Sequence, residues 1–545
     1  MFRVDNISMS FDGKDVLKDI SFSISDGQKV GLVGKNGVGK SSLMKILCGI
    51  IEPTEGKIVL GSDIYSIGYL RQEFELNDLD KIVSDYIDEM VGLTEIARRL
   101  DELSNSDLTI SDNFEEYCKI NDAFLAMDGY NFEYRKEITF AGLSLDKNIL
   151  QKKISELSGG QKSKVLLSVV LLMNADLLLL DEPTNNLDIK SIQWLDDYLA
   201  HINTSCLIIS HDRTLLDHVV TRIIEIDENT KCIIEFSGNY SNYLEFKEKQ
   251  ISKQLLAYEA QQEQIVNMRK SIQQKKTWAS MGRYQGVSDN DKYTRGYERD
   301  RSSSIASSAK RIEKKINQLN KIERPIIREP MKIVLNLSDD DKATVNIMTR
   351  ELVCGYSNEF RVKIGTKNIE FGDKILILGD NGTGKTTFIK TILAQIPPIS
   401  GDVVVGSGVK FGILLQQEFK GISSKNLTVE EYIRENTTQD EKIFFTALIN
   451  YGFSYEDRNK KINILSPGEI ARLYLLICSL NLVNVLIFDE PTNYLDIEAL
   501  EALEEIISTF EGTIIASSHD RYFIKRFQPK VIFEFKDGQM IDYIQ

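Results

Sequence analysis

Hydrophobic and polar positions follow two rhythms along this chain. Apolar runs of about five residues, such as KVGLV at 29–33, LLLLD at 177–181 and KILIL at 374–378, are bounded by Gly, Asp and Ser and predict buried strands. Between them lie segments with apolar residues at helical spacing, SSLMKILCG at 41–49 among them. Strand and helix patterns in alternation predict an α/β fold.

Residues 247–329 leave that rhythm. Apolar residues recur at Ile251, Leu255, Tyr258, Ile265, Met268 and Ile272, and again at Ile305, Ala309, Ile312, Ile316, Leu319 and Ile322, close to every 3.5 residues. The spacing predicts two long helices folded into an antiparallel coiled-coil hairpin. About 31 residues at 1.5 Å per residue make an arm of roughly 45 Å, more than internal packing needs. The tip at 278–304 lacks a sustained helical period, and Gly282, Gly286 and Gly296 interrupt it.

Charge sharpens this picture. The chain of 545 residues carries −15 overall, yet residues 247–329 hold 19 Lys and Arg against 10 Asp and Glu. The arm is therefore +9 and the remainder −24, an asymmetry that points to a polyanionic partner. Six scattered cysteines form no C-x-x-C pair, which argues against a zinc site or a disulfide framework and for a reducing, cytoplasmic setting. Apolar runs such as VLLSVVLLM at 165–173 are too short to span a membrane, and no charged-then-apolar leader opens the sequence.

The chemistry is written twice. Gly34-Lys-Asn-Gly-Val-Gly39-Lys40-Ser41 follows the strand KVGLV, and Gly379-Asp-Asn-Gly-Thr-Gly384-Lys385-Thr386 follows KILIL. Each is a complete G-x-x-x-x-G-K-[ST] between a strand and a helix. Its glycines let backbone N–H groups turn toward phosphates, its lysine reaches the terminal ones, and its hydroxyl can ligate magnesium. Each copy also has a short Gly-containing segment opening a helix, LSGGQ at 157–161 and LSPGE at 465–469, a second anion cradle. Paired carboxylates end an apolar strand in LLLLDEPTNNLD and VLIFDEPTNYLD. There Asp181 or Asp489 can hold magnesium through water, and Glu182 or Glu490 can polarise an attacking water.

The duplication can be measured. Lys40 and Lys385 are 345 apart and Gln72 and Gln416 are 344 apart, whereas Ser158 and Ser466, Glu182 and Glu490, and His211 and His519 are each 308 apart. The first copy thus holds about 36 extra residues between Gln72 and Ser158. A helical pair over 85–128, projecting from the first domain, is the expected seat.

Phosphate loop, Gln after YLR, LSGGQ, DEPTNNLD and S-H-D, in that order and twice over, resemble the nucleotide-binding domains of the ATP-binding-cassette superfamily. Two cassettes without a membrane domain, joined by a charged helical hairpin, resemble its ABC-F branch, whose members act on the ribosome. The resemblance implies two cassettes at 1–246 and 330–545 around the 247–329 hairpin, paired within one monomer, with ATP and Mg2+ as cofactors and ATP hydrolysis as the activity.

Residue by residue, it implies that Phe11 and Tyr356 stack on adenine. Gly34, Asn36, Gly37, Gly39, Lys40, Ser41 and Ser42, with Gly379, Asn381, Gly382, Gly384, Lys385, Thr386 and Thr387, would cradle phosphates. Ser41, Gln72, Thr386 and Gln416 would hold the metal, with Gln417 a rival to Gln416. Ser158 and Gly160, and Ser466 and Gly468, would close over the opposite phosphate loop. Asp181 and Asp489 would support the metal, and Glu182, Glu490, His211 and His519 would be catalytic. Pro467 stands where the signature's first glycine is expected and removes one N–H from that cradle. Because cassettes pair head to tail, the site of Lys40, Glu182 and Ser466 is the one expected to turn over poorly, and that of Lys385, Glu490 and Ser158 is intact.

At the hairpin tip, Arg283, Arg295, Arg299 and Arg301 alternate with Tyr284, Tyr293 and Tyr297, cations and stacking faces suited to RNA. The resemblance implies an arm entering the tRNA exit site toward the peptidyl-transferase centre, with large-subunit rRNA and peptidyl-tRNA as contacts. It further implies ribosomal protection against antibiotics of that centre, or alternatively a housekeeping translation factor. The ATPase subunit of a membrane transporter is the reading from another class, and the +9 hairpin argues against it.

Overall fold

The computed structural model describes residues 2–11, 14–35, 37–61, 66–71, 73–105, 111–228, 230–284, 304, 307–308, 310–316, 318–319, 322, 346–356, 360–414, 421–422, 424–491 and 497–544. They divide into two compact units: Met1–Tyr240 together with Glu329–Gln545, and Ser241–Arg328.

In the first unit the apolar runs are interior strands. Lys29–Val33, Leu177–Asp181 and Ser205–Ile209 are buried at every position, which is why they lack alternation. They belong to a six-stranded sheet ordered Ile67–Tyr69, Leu177–Asp181, Ser205–Ile209, Lys29–Val33, Arg222–Ile226 and Ile233–Ser237, parallel except for the last strand. A separate antiparallel sheet, with Phe2–Phe11 between Lys14–Ile24 and Glu55–Leu60, packs on it through Phe2, Val4, Leu17 and Ile24. In the second copy the corresponding strands join into one nine-stranded sheet. Its central strands Lys374–Gly379, Thr513–Ser517 and Val485–Asp489 are parallel neighbours in the same relative order.

This topology positions the site. The phosphate loop leaves the carboxyl end of Lys29–Val33, His211 follows Ser205–Ile209, and Glu182 follows Leu177–Asp181. Because Ser205–Ile209 lies between the other two strands, histidine, lysine and carboxylate converge at one sheet edge. Gly39 and Gly384 start the next helices, Lys40–Leu47 and Lys385–Ile392, at φ 110° and 105°. A Cβ there would lie 2.8 Å from Val16 and 2.6 Å from Val362, so both backbone angle and space require glycine.

The extra residues of the first copy occupy less than 85–128. Val83–Val91 packs into the core through Val83, Tyr86 and Ile87, and its counterpart is Val429–Asn436. An equivalent bridge precedes each helix, Ile82 to Lys153 and Thr428 to Lys461. The surplus is the pair Leu93–Ser104 and Ser111–Ala126, braced by Arg99 on Glu116 at 2.7 Å. Sequence spacing could bound the insertion but not tell a shared amphipathic helix from an added one.

A single helix runs Tyr240–Tyr284, 45 residues or roughly 67 Å against the expected 31, and all of it after Tyr240 belongs to the second unit. It passes through Gly282, so Arg283 and Tyr284 close a helix instead of lying in an irregular tip; one interior glycine costs only about 1 kcal/mol, which long flanking helix offsets. Leu255, Tyr258, Ile265 and Met268 are half-buried and Ile272 is buried. Lys275 Nζ donates to Ser308 Oγ at 2.7 Å, Lys276 pairs with Glu313 at 2.6 Å, and the Ile322 N–H donates to Gln261 at 2.9 Å. Residue numbers that fall on one side as they rise on the other mean that the two stretches run antiparallel. Ile251, expected in the seam, is exposed; at the register of Gln261 and Ile322 its opposite number falls near 332, outside the described residues. Ile305, Ala309, Tyr293, Arg295, Tyr297, Arg299 and Arg301 also lie outside them.

Candidate functional site

Lys385 anchors the second copy's site. Its Nζ donates to the Gly379 carbonyl at 2.7 Å, and it lies 2.7 Å from His519 Nε2 and 3.4 Å from Glu490 Oε1. Thr386 Oγ1 donates to Asp489 Oδ2 at 2.7 Å, and Ser517 Oγ donates to Asp489 Oδ1 at 2.5 Å. Glu490 sits at φ 48°, in the left-handed region that a non-glycine residue rarely adopts, held by its N–H on the Ser517 carbonyl at 2.9 Å. That strained turn aims its carboxylate at His519 Nε2, 3.5 Å away. Burial pushes the Glu490 carboxyl up, but His519 and Lys385 outweigh it and hold the group at about 2.

The first copy repeats the geometry with different electrostatics. Lys40 Nζ donates to the carbonyls of Gly34 at 2.6 Å and Lys35 at 3.0 Å. Glu182, at φ 53°, donates its N–H to the Ile209 carbonyl, and its Oε2 accepts from the His211 backbone N–H at 3.1 Å. Its Oε1 is buried 3.5 Å from His211 Nε2. Burial, with Asp181 alongside, pushes this carboxyl up to about 8, so it is largely neutral at pH 7. The same tripeptide thus presents an anion in one copy and an acid in the other.

The two copies meet over the second phosphate loop. A cavity of about 950 Å3 is lined by Ser158, Gly160 and Asp188 from the first and Tyr356, Lys385 and Glu490 from the second. Asn381 Nδ2 donates to the Asn186 carbonyl at 2.7 Å, and Lys190 pairs with Asp380 at 3.1 Å. Ser158 caps the helix Gly159–Leu172 in a reciprocal box with Gln161, and Ser158 and Gly160 at its amino terminus line the cavity together with the loop. Ser466 caps Pro467–Leu480 in the same way with Glu469. Proline at a helix's first position suits the fold, since its fixed φ is already helical, while leaving one fewer N–H for an anion.

Of the other expected site residues, Ser41, Ser42 and Thr387 occupy the first turns of the helices behind the two loops. Gly37 and Gly382 take positive φ within the loops. Asn36, Gln72 and Gln416 lie outside the described residues, as does the Phe11 side chain. Tyr356 is 63 % exposed at the cavity, its ring 6.4 Å from that of Phe360. Phe360 escapes sequence reasoning because only a hairpin, Gly355 paired with Arg361, returns it beside Tyr356. Gly355 is needed there: a Cβ would sit 2.1 Å from the Phe360 carbonyl. Gly355→Ala is expected to raise the KM for ATP about threefold to tenfold with kcat little changed, checked by steady-state kinetics. An unchanged KM would remove the aromatic pair from the binding site.

Residues 17–185 and 365–493 match the sequence model of the family described as ABC transporter, and 225–335 match a second model of that description. ABC transporter F family member 2 of Arabidopsis thaliana is 33 % identical over 99 % of this chain and 77 % of its own. The chain belongs to the ABC-F family. As an ABC-F protein it binds ATP in cassettes and is an ATPase. The energy-dependent translational throttle protein EttA of Mycobacterium tuberculosis is 30 % identical to this ABC-F chain over 96 % of it and 90 % of EttA. Among solved structures, an archaeal ribosome recycling factor, in complex with a ribosomal stalk protein, matches with a TM-score of 0.56 at 18 % identity, covering 99 % of this chain and 90 % of its own; that likeness concerns the fold.

Proposed function

We propose that this ABC-F protein is a cytoplasmic, ATP-dependent ribosome-binding factor whose basic hairpin carries its effect to the peptidyl-transferase centre. The observation that carries this reading is the cavity in which Ser158 of one cassette faces Lys385 and Glu490 of the other, because ATP bound there touches both. Lys385 and the N–H groups of its loop hold the phosphates, while Ser158 and Gly160 close over the terminal one from the opposite cassette. Glu490 orients water and accepts its proton, and His519 fixes that carboxylate. The hard oxygens of Thr386 and Asp489 fit a magnesium ion, which would supply neutralisation of phosphate charge. Lys40, Ser41, Asp181, Glu182 and His211 form the corresponding set in the first cassette, with Ser466 and Gly468 as its opposite signature.

The hairpin, at +9, fits rRNA and tRNA backbone, and EttA's name as a translational throttle supports the ribosome as its target. That name speaks to translation and leaves protection of the centre from antibiotics and a role in ordinary translation level. Growth of a susceptible host expressing the chain, across lincosamides, pleuromutilins, streptogramins, phenicols and oxazolidinones, separates the two. Among the described residues no helix is long and apolar enough to cross a membrane, and the charged hairpin suits no transporter subunit.

The decisive experiment uses Glu182→Gln with Glu490→Gln. The double variant is expected to bind ATP, hydrolyse it about 10²-fold or more slowly, and cosediment with ribosomes while arresting translation. Recovery free of ribosomes at saturating ATP, or with membranes, would overturn the reading.

A further inference from the structure

Two ion pairs cross between the cassettes at positions related by the 308-residue repeat. Arg213 Nη1 donates to Glu504 Oε2 at 3.2 Å, and Arg521 pairs with Asp196. Arg213 and Arg521 are themselves 308 apart, as are Asp196 and Glu504, so each cassette gives one cation and takes one. Arg213, Asp196 and Glu504 are almost fully buried, and Arg213 also lies over the Tyr522 ring at 4.5 Å.

Their placement connects each pair to one of the two candidate sites. Arg521 is two residues beyond His519 and opens the helix Arg521–Phe527, whose N-cap Asp520 accepts from the N–H groups of Tyr522 and Phe523. Asp196 lies on Ile189–His201, the helix that follows Asn186 and Asp188 in the other cassette. A closed ring of contacts results. Lys385 meets His519 at 2.7 Å, the capped turn leads from His519 to Arg521, and Arg521 holds Asp196. The helix of Asp196 leads back to the Asn186 carbonyl, which accepts from Asn381 in the same loop as Lys385 at 2.7 Å. Arg213 is likewise two residues beyond His211, and Glu504 lies on the helix Ile497–Thr509 of the other cassette.

We propose that Arg521 and Arg213 are positioning residues that tie each histidine to the opposite cassette, so that His519 and His211 align only when the cassettes are paired. The proposal rests on the catalytic role given above to those histidines. It makes hydrolysis conditional on pairing through side chains that do not line the cavity at Lys385.

The test compares Arg521→Met with Asp196→Leu, made together, against His519→Ala, in the full chain. Replacing both members of a buried pair by apolar residues of similar size leaves stability near its starting value, so the double variant is expected to fold with an unchanged thermal midpoint. Its kcat is expected to fall about tenfold while KM for ATP stays within about twofold, because no residue of the phosphate loop or of the aromatic pair is altered. The exchanged pair, Arg521→Asp with Asp196→Arg, is expected to recover most of that loss. An unchanged kcat in the folded Met/Leu variant, or no recovery by the exchanged pair, would overturn the link while His519→Ala still lowers kcat. If His519→Ala itself leaves kcat unchanged, it is the histidine's role that falls.

Discussion

Glu490→Gln alone is expected to lower ATP turnover at pH 7 about 10²-fold or more, and Glu182→Gln alone less than about threefold. The two glutamates end equivalent strands at equivalent strained turns, so the backbone does not separate them. Their surroundings do. Glu490 has Lys385 and His519 within 3.5 Å and is held at about 2, so it is an anion at pH 7 that can orient a water molecule. Burial beside Asp181 pushes Glu182 up to about 8, and a neutral acid cannot act as base. Pro467 adds to the inequality by thinning the signature expected opposite Lys40. The pH dependence follows with its sign. In the Glu490→Gln variant the residual activity depends on Glu182 ionising and should rise from pH 7 to 9 as pH passes about 8. In the Glu182→Gln variant no such rise is expected, because Glu490 is ionised throughout. Phosphate-release rates of both single variants measure this, and the reverse order of losses would refute it.

Replacing residues 285–303 by a short Gly/Ser turn is expected to leave ATP turnover within about twofold of its value and to abolish the effect on translation. The described residues that line the cavity at Lys385 all belong to the cassettes, and the seam from Leu255 to Ile272 remains to pair the helices. What is lost is Arg295, Arg299 and Arg301 with Tyr293 and Tyr297, whose pairing and stacking act only where RNA is near. The readout is peptide synthesis in a reconstituted system, or survival under drug if the chain protects the ribosome. Full activity without the tip would move the search to Leu93–Ser104 and Ser111–Ala126, the added pair of the first cassette.

The local chemistry of this chain was legible residue by residue. A phosphate loop needs glycines at fixed spacing before a helix, a buried parallel strand needs an unbroken apolar run, and a hairpin arm needs a 3.5-residue seam. Each condition concerns neighbours in sequence, and the double occurrence at constant offsets exposed the duplication. Head-to-tail pairing of Ser158 with Lys385 was also implied, by resemblance to the family more than by any local pattern.

Other features depended on what approaches from far along the chain. Val83–Val91 is core and Leu93–Ser104 is addition, though both are amphipathic, because the former packs against the buried helix Gly159–Leu172 and has a counterpart, Val429–Asn436, in the second copy. Phe360 joins Tyr356 through a hairpin, and Asn381 is committed to the opposite cassette's backbone. Arg213 and Arg521 read as ordinary charged residues until Glu504 and Asp196, nearly 300 and 325 positions away, meet them. Identical Asp-Glu-Pro sequences acquire opposite protonation because desolvation and neighbouring charge are properties of a place in space. Sequence therefore determined which groups this protein has and the elements that carry them; the tertiary structure decided which of them share a low-dielectric site, and so which carboxylate is held charged.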